Sequence, residues 1–143
     1  MTIKDFNPPE WVPLTVESYR KLVQRKAVAL HRRDKKRGGT YTVKEALQAM
    51  HQAFTASDGV DPYDGLPMDA DLLGTYDNAD SKAEGAVYKR KFARMPTVDH
   101  VEAMPEPVFE IVSWQTNDAK GDMTPDEFRG YCQRVSDYTK RSS

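Results

Sequence analysis

Two short runs of strand-like composition, Thr97 to Val101 and Val108 to Trp114, lie close together with Pro105 and Pro107 between them. A stretch rich in Asn, Asp and Gly follows, and then a helix with a strong start signal. Thr124 can cap it, Pro125 suits its first position, and Glu127 completes a capping box. Strand, strand and helix in so short a span point to an α+β fold. A two-stranded hairpin is at best marginally stable alone, so the rest of the chain must pack on it. The chain has 143 residues, which suits one domain or a compact core with a helical arm.

The N-terminal part supplies helices. Thr15 can cap one whose apolar residues Val16, Tyr19, Leu22, Val23, Val28 and Leu30 recur at roughly helical spacing, fading at Gly38 and Gly39. Thr42 starts a second, with Glu45 completing a capping box and Ala46, Leu47, Met50 and Phe54 on one face. Ahead of both, Pro8, Pro9 and Pro13 break regular structure, while Trp11 and Leu14 can dock on a core. Residues 57–67 read as turns, residues 74–86 as a long polar loop, and residues 88–93 as a short helix or strand. The last helix can line a buried face with Phe128, Tyr131, Cys132, Val135 and Tyr138, which makes Cys132 a buried thiol. The expected division is a basic helical region, 1–54, and a ββα module with its C-terminal helix, 55–143.

Charge follows the same division. Net charge is −1 overall, but residues 1–54 hold 11 Lys/Arg against 5 Asp/Glu, a net of +6, and residues 55–143 hold 10 against 17, a net of −7. The basic residues concentrate in Arg32, Arg33, Lys35, Lys36 and Arg37, with a second group at Lys89, Arg90 and Lys91. Such an arm suits a polyanion. It equally suits a solvated helix end, where the helix dipole favours cations. The single cysteine excludes an internal disulfide and a multi-cysteine zinc site. No apolar run reaches the ~18 residues of a membrane span, and the N-terminus lacks the layout of a signal peptide. A cytoplasmic protein with no membrane partner is expected.

The chemistry-bearing residues gather in the ββα stretch. Asp99 and His100 lie at the end of the first run, and Asn117 comes seventeen residues after His100, where the second run gives way to helix. A carboxylate and an amide oxygen are hard ligands suited to Mg²⁺ or Mn²⁺. An imidazole can deprotonate water near neutral pH. A metal would then stabilise the charge that develops on a phosphodiester oxygen. Lys120, one helical turn beyond Asn117, can reach a phosphate.

The segments PTVDHV, IVSW, NDAKGD and MTPDEF, within about residues 62–135, resemble the HNH family of nucleases, also called ββα-metal or His-Me finger nucleases. The resemblance implies a ββα-metal module on which the N-terminal helices pack. It implies Asp99 and Asn117 as metal ligands, His100 as general base, and hydrolysis of phosphodiester bonds in DNA. Two features depart from the family. Its middle Asn falls at Val108 here, with Glu106 and Glu110 as the nearest replacements. Its CxxC pairs, which hold a zinc staple, are missing from PYDGLP, so no structural zinc is expected and packing must hold the module.

Two other readings of the same residues stand beside this one. A catalytically degraded domain of the same fold would bind DNA or a protein partner. Residues 116–127 also imitate a calcium loop, with Asp118, Gly121 and Glu127 in place, but Thr116 and Lys120 stand at two ligand positions and a strand precedes the loop where a helix belongs.

Overall fold

The computed structural model describes residues 2–73 and 85–142. It is a mixed α+β structure. Helices α1 (Val16–Lys36) and α2 (Val43–Ala56) precede a short α3 (Ala86–Lys91). Strands β1 (Pro96–His100) and β2 (Phe109–Ser113), then α4 (Trp114–Lys120) and α5 (Pro125–Ser142), complete it.

The capping signals form as the sequence predicts. Thr15 accepts from the Ser18 amide at 3.1 Å, and Thr42 and Glu45 cap each other's backbone. Helix α1 buries Tyr19, Leu22, Val23, Ala27, Leu30 and Asp34, a stripe at helical spacing that ends on a carboxylate. Helix α2 adds Ala46, Met50 and Phe54 to the same core. The N-terminal segment closes over them with Phe6 and Val12, and the Trp11 indole donates to the Phe54 carbonyl at 3.0 Å.

The strands pair antiparallel, with Pro96 opposite Ser113 and His100 opposite Phe109. Side chains alternate across a strand. Val98, His100, Phe109 and Ile111 therefore share the face turned to the helical core, where Ile111 is buried and Val98 and Phe109 pack. Thr97, Asp99, Glu110 and Val112 share the other face, which α4 covers. Ser113 ends β2 and caps α4, its hydroxyl accepting from the Thr116 amide at 3.1 Å. Trp114 thus opens a helix and does not end a strand, and Asn117 to Lys120 are helical.

The turn segment is fastened by a buried carboxylate. Asp61 is fully buried; its Oδ2 accepts from the Ser113 amide at 2.9 Å and its Oδ1 from the Tyr63 amide at 2.7 Å. Arg94 clamps the same turn from outside, bidentate on Asp64. The module is therefore held by a polar fastening as well as by packing.

Two expectations differ. The apolar spacing of α5 predicts a buried face, yet of that face only Phe128 is buried. Phe128 meets Tyr63 edge to face and Arg129 lies over the Tyr63 ring, while Tyr131, Cys132, Val135 and Tyr138 are exposed. Cys132 is accordingly an exposed thiol. Residues 74–84 of the expected polar loop lie outside the described residues.

Candidate functional site

Helix α1 delivers a partner to His100 that lies far away in sequence. The His100 Nε2 stands 2.7 Å from Oδ2 of Asp34, whose side chain is 1% exposed. The same Oδ2 accepts from the Tyr41 hydroxyl. The carboxylate holds the Nε2–H tautomer, which leaves the Nδ1 lone pair free to accept a proton. Nδ1 has no hydrogen-bond partner among the described residues. No buried side-chain nitrogen there lacks a partner, so this atom reaches solvent. His100 borders a cleft of about 280 Å³, together with Asp34, Asp99, Asn117, Arg33 and Arg37.

Backbone contacts set the height of the interstrand loop over α1. Gly39 passes so close that a Cβ there would sit 2.8 Å from the Pro105 carbonyl oxygen. Arg37 donates to the Ala103 carbonyl at 3.1 Å. The loop end of β1, and His100 with it, is thus tied to the helix that carries Asp34. Val108, the position that the resemblance gives to a middle Asn, is exposed, and the Val101 amide donates to the Val108 carbonyl at 3.1 Å to close the loop.

Asp99 faces the other way and is buried against α4. Lys120 places its ammonium 2.8 Å from Asp99 Oδ2 and donates also to the His100 and Val101 carbonyls at 3.0 and 3.1 Å. Lys120 is thereby a buried clamp on the end of β1, and its ammonium is committed to three acceptors. The expected phosphate contact from this residue has a competing set of partners. Burial pushes the Asp99 carboxyl above the usual carboxylate range, by more than the hydrogen bond and charge of Lys120 pull it down. Glu110, directly across the hairpin, is also raised, by burial and then by the Asp99 charge. Tyr63 is pushed up to about 12 by burial and the nearby Glu110.

Asn117 lies on α4 with its amide nitrogen turned to Thr97 Oγ1 at 3.1 Å and the Val98 carbonyl at 3.4 Å. This orientation leaves Oδ1 to accept. Asp99 and Asn117 border the same cleft, and the exposed Asp122 lies at its rim. Among the described residues no three His, Cys, Asp or Glu side chains cluster closely enough to encage a metal. The donors are hard oxygens, one from a carboxylate already sharing its charge with Lys120. Hard oxygen donors of this kind suit a dication which keeps most of its water, as Mg²⁺ does.

Of the expected cations, Arg33 and Arg37 border this cleft. Arg32, Lys35 and Lys36 lie on another side of α1, beside Val28 and His31. Lys89, Arg90 and Lys91 are exposed on α3 and border neither cleft next to His100. Thr116 to Lys120, which would open a calcium loop, are helical, with Lys120 buried in its ion pair. The residue missed by sequence reasoning is Asp34. Its signal was position, since a charged residue four beyond Leu30 continues the apolar stripe of α1.

No protein-family model matches this chain, and neither a curated protein nor a solved structure shows significant similarity to it.

Proposed function

We propose that the chain is a divalent-metal-dependent nuclease of the HNH kind, hydrolysing phosphodiester bonds in DNA. The observation that carries the reading is the Asp34–His100 pair, 2.7 Å apart, set in a cleft whose other walls hold Asp99, Asn117, Arg33 and Arg37. A histidine held by a buried carboxylate through one ring nitrogen, with the other nitrogen reaching solvent, at the border of a cleft, is arranged as a general base. His100 Nδ1 takes a proton from water, and the resulting hydroxide attacks phosphorus. The P–O bond to the leaving sugar oxygen breaks, and that oxygen is protonated from solvent. Asp34 stabilises the imidazolium that forms and holds the ring in register throughout. Asp99 and Asn117 are the residues to hold a Mg²⁺ or Mn²⁺ ion, which supplies charge stabilisation at the phosphodiester oxygen. Arg33 and Arg37 hold neighbouring phosphates.

The test is plasmid nicking with Mg²⁺ or Mn²⁺. His100→Ala should slow it by about 10²–10⁴-fold, the usual worth of a general base, and EDTA should abolish it. DNA affinity of His100→Ala should stay close to that of the unmodified protein. Equal nicking with and without His100 would place the activity elsewhere. The Lys120–Asp99 ion pair favours a second reading, a DNA-binding domain of the same fold in which a lysine has replaced the metal's charge. Absence of nicking under either metal, with DNA binding retained, would select it.

A further inference from the structure

Helix α1 carries Arg25 and Lys26 ahead of the basic cluster that begins at Arg32. Arg25, Lys26 and Arg33 border a groove of about 460 Å³, whose far wall includes Met95 and Trp114. Leu30, Arg33, Val98 and Asn117 border both this groove and the His100 cleft, so the two run together along α1. Among the described residues, no carboxylate lines the groove, and Arg25, Lys26 and Arg33 form no ion pair or hydrogen bond there. Lys26 is half-buried and interrupts the stripe that runs from Leu22 and Val23 to Leu30. Burial, and then the charges of Arg25 and Arg33, push its ammonium pKa down. Cations crowded together without a counter-charge repel one another, and a bound anion relieves them.

We infer that this groove seats the backbone phosphates of the DNA strand to one side of the bond that is cut. The inference rests on the DNA reading above and adds a path for the strand. From Arg25 to Arg37, α1 rises about 18 Å at ~1.5 Å per residue. That length matches roughly five phosphates of one strand at ~3.4 Å of duplex axis each. Arg32, Lys35 and Lys36 carry the same charge but turn to a separate surface. Binding therefore depends on which face of α1 is charged, and not on the total charge of the arm.

The experiment compares two variants of equal charge loss in the full chain. One is Arg25→Gln, Lys26→Gln and Arg33→Gln; the other is Arg32→Gln, Lys35→Gln and Lys36→Gln. Affinity for a labelled DNA duplex is read by fluorescence anisotropy in EDTA, between about 50 and 200 mM KCl. The first variant should flatten the plot of log affinity against log salt by about 2.7, at ~0.9 for each phosphate that is no longer neutralised. The second should flatten it by less than about 1. Equal flattening in the two variants, or none in the first, overturns the groove. If the first triple does not fold, Arg25→Gln with Arg33→Gln, both exposed, should still remove about 1.8. Nicking by the unmodified protein is scored separately. Nicking with an unaltered slope in the groove variant would remove the groove alone. A flattened slope without nicking would remove the nuclease reading and keep the groove.

Discussion

Asp99 and His100 are adjacent in the chain yet answer to different neighbours, because successive side chains of a strand point to opposite faces. His100 turns to α1 and finds Asp34; Asp99 turns to α4 and finds Lys120. Replacing Asp34 with Asn keeps the shape of the side chain but removes the charge that fixes the imidazole's tautomer. Such a loss is worth up to about 10⁴-fold in rate for a histidine base. Asp34→Asn should therefore cut nicking nearly as far as His100→Ala, and Tyr41→Phe should cut it far less. A full rate in Asp34→Asn would remove Asp34 from the mechanism. For Lys120 the expected effect is on stability. Lys120→Met leaves the Asp99 carboxylate buried without its cation, a change that costs about 3–5 kcal/mol. The Asp99 carboxyl is already raised by burial, so its proton returns as pH falls, and a neutral carboxyl needs no cation. Urea denaturation should show the penalty shrinking as pH falls from neutrality into the acid range. A pH-independent penalty would mean that packing, and not charge, is what Lys120 supplies.

The elements were legible to different degrees, for physical reasons. The caps of α1, α2 and α5 depend on residues within one turn, so sequence shows them directly. Asp99, His100 and Asn117 could be singled out because the order of strand, strand and helix brings them to one cleft. The Asp34–His100 contact spans 66 residues of chain and exists only because α1 packs across the hairpin. Helix α5 misled in the opposite sense: Tyr131, Val135 and Tyr138 continue the core-like spacing of Phe128 yet are exposed, and spacing alone cannot say how deep a face lies. The Asp61 turn read as loop punctuation, and its role as a fastening rests on a carboxylate reaching Ser113, 52 residues away. Burial alone would raise the Asp61 carboxyl. The donors from Ser113, Thr116 and Tyr63 outweigh it and hold the group below the usual carboxylate range. A depressed folded value means that the unfolded chain binds the proton first. The stability it contributes is present above the unfolded value of about 3.9 and is lost as pH falls through the folded one. Asp61→Asn should thus lower the melting temperature at pH 6, and the gap from the unmodified protein should narrow as pH drops below about 4. A gap that widens in acid would contradict this.

At the scale of the whole molecule, the charge division at residue 54 does not mark a division of the core. The main cluster draws Phe6 and Val12 from the N-terminal segment and Tyr19, Leu22 and Val23 from α1. It takes Met50 and Phe54 from α2, Met68 and Leu73 from the stretch after the turns, and Ile111 from β2. A hairpin of two strands has no interior of its own, so its helix-facing side becomes part of the core of the N-terminal helices. The catalytic reading needs the same union, since the proposed base lies on β1 and its carboxylate partner on α1. Folding should therefore be one cooperative transition, with far-ultraviolet circular dichroism, tryptophan fluorescence and calorimetry reporting a common midpoint. Ile111 tests this most directly, being 2% exposed and the hairpin's deepest contact with the helices. Truncating such a side chain to Ala costs about 2–5 kcal/mol. In Ile111→Ala the midpoint should drop for every probe together, although the residue lies in the second half of the chain. Trp11 sits on the N-terminal segment and Trp114 on α4, so fluorescence samples both halves. Two separated transitions, with only one moved by Ile111→Ala, would show that residues 1–54 and 55–143 fold as independent units. The His100–Asp34 pair would then lie across a domain interface instead of within one core.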